Sequence, residues 1–188
     1  MEKVGIIIAR CQPIHNGHIA LIREALKSNN MVCVILGSAN KFNVRNPIPI
    51  HVREELVNNS ILEVFNKSDS GRIVVATLDD LSSEENNTIE WGFYLYAHIV
   101  ELINQAFFTI YYSDGFETIV SWFPGFLLRN FVSLSLMARG SIEEGISATS
   151  VREYIMNGND EKLKTSVPNY VFEQRDVIRR YIELSLMK

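Results

Sequence analysis

Short apolar runs alternate with segments of helical periodicity along most of this chain, and that alternation narrows the fold more than any other feature. Val4–Ala9, Met31–Leu36, Ile73–Leu78, Phe107–Tyr112 and a run near Phe131–Leu136 are strand-length and largely apolar. Runs of this kind read as strands buried on both faces. Between them, Ile19, Ile22 and Leu26 recur at helical spacing in Gly17–Lys27, and Val57, Ile61, Val64 and Phe65 do so in Val52–Phe65. Phe93, Tyr96, Ala97 and Val100 repeat the pattern in a helix that starts near Ile89. Strands that alternate with helices imply a parallel sheet of about five strands with helices on both faces. In such sheets, ligands sit beyond the carboxyl ends of the strands. A short helix over Val151–Met156, stopped by Asn157-Gly158, and an amphipathic tail over Val171–Leu186 form a C-terminal helical extension.

The length of 188 residues suits one domain, 1–188, with a core over 1–145 and the extension over 146–188. At 47% hydrophobic and 21% charged residues the chain can bury a sizeable core, so disorder is not expected. The net charge of -4 argues against nucleic acid as a partner but not against a local phosphate site, because a few basic residues can converge on an acidic protein. Cys11 and Cys33 have no metal-like spacing and make no disulfide framework. The apolar stretch Ile119–Met137 is interrupted by Pro124, Gly125, Arg129 and Asn130, which excludes a membrane helix there. With no signal-like N-terminus, the expected location is the cytoplasm. Trp122–Leu128 is a candidate surface for a homo-oligomer and equally a candidate piece of core.

The chemistry concentrates in Arg10-Cys11-Gln12-Pro13-Ile14-His15-Asn16-Gly17-His18, between the first strand and the first helix. Free N–H groups and the helix dipole favour an anion at that helix start. Gly17 allows close approach of a ligand to the backbone, and Arg10 adds a permanently charged donor fork. No carboxylate or cysteine completes a zinc-like set, so the group suits a polyphosphate better than a metal. A bland reading stands beside it, in which His15 caps the turn and His18 is a satisfied surface residue. The order of strand, proline, two histidines, glycine and helix favours the functional one.

The string His15-Asn16-Gly17-His18 matches the HxGH signature of the nucleotidyltransferase superfamily, and its surroundings resemble the GRFQPxHxGH form of archaeal-type nicotinamide mononucleotide (NMN) adenylyltransferases. Ala9 and Cys11 stand where that form has Gly and Phe. Ile146-Ser147-Ala148-Thr149-Ser150-Val151-Arg152 resembles the ISxTxxR motif of the same superfamily. Read by itself, it is equally a capping box of Ser150 with Glu153. Gly37-Ser38-Ala39-Asn40 is similar to a GSA segment of the NMN branch. Asn46-Pro47-Ile48-Pro49-Ile50-His51-Val52-Arg53 is similar to its NPFTxxER box, with the aromatic and acidic residues lost. Asn87-Thr88-Ile89-Glu90-Trp91 resembles the stretch whose tryptophan stacks on nicotinamide, although Trp91 also suits a core.

The resemblance implies a Rossmann-like doubly wound sheet and transfer of AMP from ATP to NMN, giving NAD and pyrophosphate. It implies His15, His18, Arg10 and Arg152 as catalytic groups. Gln12, Gly17, Ser147 and Thr149 would serve ATP, and Ser38, Asn40, Asn46, Arg53 and Trp91 the acceptor. Mg²⁺ would be held mainly through phosphates, with no dedicated protein ligands. Another phosphomonoester acceptor, or a nucleotide-binding sensor without turnover, are the alternatives.

Overall fold

The computed structural model describes residues 2–81, 89–113, 116–137 and 146–187. The loop expected over Asp79–Thr88 lies mostly outside these residues, and so do Asn87-Thr88, the Asp114-Gly115 end of the fourth strand and the loop Arg139–Gly145.

Five strands form one sheet: β1 (Val4–Ala9), β2 (Met31–Leu36), β3 (Ile73–Thr77), β4 (Phe108–Tyr112) and β5 (Val132–Leu136). Their order is β3-β2-β1-β4-β5, and every adjacent pair is parallel. The order reverses between β1 and β4, so the switch point of this doubly wound sheet lies at the carboxyl end of β1. That is the strand from which the Arg10–His18 segment emerges.

Alternation along the strands divides the core. Ile7, Val32, Val34, Leu36 and Tyr111 face one apolar cluster, which includes side chains of α1 (Asn16–Ser28) and α2 (Ile50–Val64). Val4, Ile6, Cys33, Ile35 and Ile110 face the other. That second cluster is filled by α4 (Ile89–Ile103), α5 (Phe116–Trp122) and α6 (Gly125–Asn130); a short α3 (Lys67–Ser70) precedes β3. Both faces of the sheet are therefore covered, as the unbroken apolar runs require. Gly92 lets α4 meet α5: a Cβ there would stand 1.7 Å from the Trp122 carbonyl oxygen. No described helix is long and apolar enough to cross a membrane.

The C-terminal region is more divided than its sequence pattern suggests. It comprises α7 (Ala148–Asn157), α8 (Asp160–Ser166), α9 (Asn169–Glu173) and α10 (Arg175–Leu186). The expected single tail helix is broken at Gln174, which both ends α9 and starts α10. Helix α8 escapes a periodicity reading because Leu163 is its only large apolar residue; the Asn159 side chain starts it by accepting from the Lys162 N–H. Glu63 of α2 holds α9 in place, its carboxylate accepting from the N–H groups of Asn169 (2.9 Å) and Tyr170 (2.7 Å). Val151, Ile155, Leu163, Val167, Val171, Ile178 and Ile182 all belong to the same cluster as Ile7 and Val34.

Candidate functional site

Helix α1 opens on a cap made of two histidines. Nδ1 of His15 accepts the Gly17 N–H at 3.2 Å, and Nδ1 of His18 accepts the His15 N–H at 3.3 Å. The reciprocity is that of a capping box, with imidazoles in place of hydroxyl and carboxylate. The rings lie 3.8 Å apart, centroid to centroid, and are tilted by 34°. Burial lowers the His15 pKa to about 4. Burial, and then repulsion from His15, holds His18 well below its ordinary value. Both rings are therefore neutral near pH 7. Because each Nδ1 lone pair accepts a backbone N–H, the proton must reside on Nε2. Two neutral Nε2–H donors thus stand at the N-terminus of α1. The bland and functional readings of these histidines are compatible, since capping itself fixes the tautomer.

The second motif meets the first. Ser147 is the N-cap of α7 and is paired with Ser150: the Ser147 hydroxyl accepts the Ser150 N–H at 3.0 Å, and the Ser150 hydroxyl accepts the Ser147 N–H at 2.9 Å. The box expected between Ser150 and Glu153 thus forms one turn earlier, because the helix begins at Ala148. Arg152 donates from Nη1 to the Gln12 carbonyl at 2.8 Å and from Nη2 to the Thr149 hydroxyl at 3.3 Å. Tertiary structure thereby closes a separation of 140 residues. Arg152 is held below the ordinary guanidinium pKa, chiefly by burial and then by the positive charge of Arg10. Arg10, Arg152, Arg53 and two helix N-termini together make a local positive focus on an acidic chain.

Several of the expected ligand-binding residues also make structural hydrogen bonds. Arg53 is fully buried and donates to main-chain carbonyls. Nη1 donates to those of Arg10 and Gly37, both at 2.8 Å, and Nη2 to that of Ser38 at 2.9 Å. The guanidinium lies beneath the strand ends and ties β1 to β2, while its Nε has no hydrogen-bond partner among the described residues. Cys11 and Ser38, at those same ends, have φ of 47° and 52°. Left-handed backbone at non-glycine residues costs about 1–2 kcal/mol each and persists only where its surroundings hold it. The Arg53 carbonyl clamp is such a surrounding.

Gln12 is 2% exposed, and both ends of its side-chain amide bond the peptide groups of Ile48. The side-chain amide thus clamps Ile48, and it is the Gln12 carbonyl that accepts from Arg152. Trp91 is 4% exposed and packs edge-on against Trp122, with ring centroids 6.2 Å apart, and against Tyr94. That is the core position the sequence left open beside the stacking one.

Ser38, Asn40 and Asn46 remain at the loop ends. The Ser38 hydroxyl donates to Asp80 Oδ1 at 3.1 Å, and Asn40 exchanges two 3.0 Å bonds with the main chain of Asp80. Asp80 carries no sequence signal as part of this region, since it is brought in from beyond β3. Asn46 is buried, turns back on Asn43, and leaves its Oδ1 without a hydrogen-bond partner. Among the described residues, no group of three His, Cys, Asp or Glu side chains converges. A separate cavity of about 450 Å³ lies at the opposite end of the sheet, near Lys3, Asn29 and Arg129, and shares no residue with this site.

The class this defines is a doubly wound α/β protein with neutral imidazole and guanidinium donors gathered at its switch point. No protein-family model matches the chain. A probable nicotinate-nucleotide adenylyltransferase of Clostridium botulinum is 30% identical over 185 residues, covering 85% of this chain and 90% of the relative. The nicotinamide-nucleotide adenylyltransferase of Picrophilus torridus is 24% identical over 187 residues, covering 96% of each. The chain therefore belongs to the nicotinamide- and nicotinate-nucleotide adenylyltransferase family and is a nucleotidyltransferase. Among solved structures, a bifunctional NMN adenylyltransferase/ADP-ribose pyrophosphatase of Francisella tularensis, complexed with AMP and a manganese ion, shares the fold. Its TM-score is 0.71 at 21% identity, and it matches all of this chain, which spans 52% of its length. A Vibrio parahaemolyticus protein described as a putative nicotinate-nucleotide adenylyltransferase matches 93% of this chain and 99% of its own, with a TM-score of 0.66 at 18% identity.

Proposed function

We propose that the chain transfers AMP from ATP to NMN, giving NAD and pyrophosphate. An oxygen of the acceptor phosphate attacks the α-phosphorus in line. The bond from that phosphorus to the β-bridging oxygen breaks, and pyrophosphate leaves with the electron pair. Such a transfer needs positioning and charge stabilisation rather than a protein nucleophile. The Nε2–H groups of His15 and His18 donate to phosphate oxygens as charge shifts onto them. Arg10 and Arg152 flank the phosphates, and the N-termini of α1 at Gly17 and of α7 at Ser147 and Thr149 supply further donors. Ser38, Asn40 and Asn46 lie on the acceptor side.

The phosphate-side donor set consists mainly of N–H groups, which offer no lone pairs to a metal. It fits a divalent cation, Mg²⁺ in our reading, carried on the phosphate oxygens rather than in a protein cage. The observation that carries the proposal is the Arg152–Gln12 hydrogen bond, which joins the two phosphate motifs at one point. The compartment proposed is the cytoplasm, and the partners are small nucleotides. The named relatives divide between nicotinamide and nicotinate acceptors, so the two mononucleotides are to be compared directly.

The test is pyrophosphate release from ATP and Mg²⁺ with NMN, its deamidated form and a panel of phosphomonoesters. His18→Ala is expected to lower kcat by about 10²–10³-fold, the scale of losing one oxyanion-type donor. Turnover only with an acceptor that lacks a pyridine ring would overturn the acceptor assignment. Silence with every acceptor while ATP still binds would replace the enzyme with a sensor.

A further inference from the structure

We infer that Gln12 is a positioning residue through which the phosphate motif fixes the acceptor-side segment 46–49. This rests on the proposed reading of which segment serves which substrate. Ile48 lies between Pro47 and Pro49, neither of which has a backbone N–H. It therefore holds the one peptide N–H of residues 47–49, and that segment cannot pair as a strand. A single side-chain amide substitutes for the missing ladder. Gln12 Oε1 accepts the Ile48 N–H at 2.8 Å, and Gln12 Nε2 donates to the Ile48 carbonyl at 3.2 Å. Ile48 is fully buried and Gln12 is 2% exposed, so water cannot take the place of either bond. The main-chain carbonyl of the same residue accepts from Arg152 at 2.8 Å.

Gln12 thus joins three segments: the histidine loop, the start of α7 and the segment that leads from Asn46 into α2. In-line transfer requires the two reacting groups to be registered to within about 1 Å, and a lapse of that size costs about 10²-fold. A residue that ties the donor side to the acceptor side sets that register without touching either substrate.

The test is Gln12→Met, which keeps length and volume but removes both polar ends, beside Gln12→Glu, which keeps an acceptor for the Ile48 N–H. Amide hydrogen exchange at Ile48 is expected to quicken in Gln12→Met by about tenfold or more, the scale of one lost hydrogen bond. A non-hydrolysable ATP analogue with Mg²⁺ should bind both variants within about twofold of the parent, while kcat/KM for the acceptor falls by about 10–100-fold in Gln12→Met. Gln12→Glu should recover part of that loss as pH falls, because the protonated acid again donates to the Ile48 carbonyl. A weakened ATP analogue with an unmoved acceptor KM would make Gln12 a donor ligand and overturn the inference. Unchanged exchange at Ile48 in a folded Gln12→Met protein would overturn it too. The exchange readout needs no turnover, so inactivity of the parent with NMN sinks the proposed function and leaves this test standing.

Discussion

At the residue scale, His15 and His18 bind structure and chemistry into one feature. Each gives Nδ1 to the backbone and keeps Nε2–H for the site, so protonation of either ring removes a cap acceptor before it adds a charge. The consequence for stability has a definite sign. In the unfolded chain both rings titrate near 6.5, whereas in the fold His15 titrates near 4 and His18 well below its ordinary value. As pH falls below 6.5 the unfolded state takes up protons that the native state refuses, so the native state loses ground. The stabilisation is complete above about pH 6.5 and is lost progressively toward pH 4. Urea midpoints measured across that range should fall with pH, and the fall should be shallower in a His18→Asn variant. An equal slope in parent and variant would count against the assignment.

At the scale of elements, contacts that no local pattern announces decide how the helices meet the sheet. Arg53 lies in the first turn of α2 yet bonds the ends of β1 and β2, and Glu63 near the other end of that helix caps α9. Helix α2 is thus both the brace of the switch point and the dock for the C-terminal helices. On the opposite face, α4 and α5 touch at Gly92, where any side chain meets the Trp122 carbonyl. Backbone cannot yield there as the tip of a flexible side chain can. Gly92→Ala should therefore destabilise by about 3 kcal/mol or more, beyond the ordinary range of overpacking. A thermal melt within a degree or two of the parent would refute that packing.

For the whole molecule, the expectation of one domain over 1–188 becomes a proposal about cooperativity. Residues of α7, α8, α9 and α10 share a buried cluster with β1, β2 and α1, so the extension is positioned as part of the core rather than as an appendage. We expect one unfolding transition by circular dichroism and by fluorescence, with coincident midpoints. Deletion of residues 146–188 should give an aggregating chain without a cooperative melt, since it uncovers the apolar face that holds Ile7 and Val34. A soluble, cooperatively folding fragment would divide the chain into two units instead. The charge of -4 and the convergence of Arg10, Arg53 and Arg152 also belong to this scale, because only folding concentrates the positive charge.

The amino-acid sequence by itself determined the α/β class, the five strands and the place of the first helix, because apolar runs and 3.6-residue periodicity are local properties of a chain. It also determined that His15 and His18 stand at a helix start, since the strand, the turn and the helix there are contiguous. What only the tertiary structure decided is the fate of long polar side chains. Arg53 and Gln12 look like ligand donors in a string of letters, yet each has a length and a set of hydrogen-bonding atoms that a distant carbonyl can satisfy. Trp91 is apolar enough for either a core or a stacking platform, and the packing of α4 on α5 placed it in the core. Buried polar groups must find partners, and which partners come within reach is a property of the closed fold rather than of the segment that carries them.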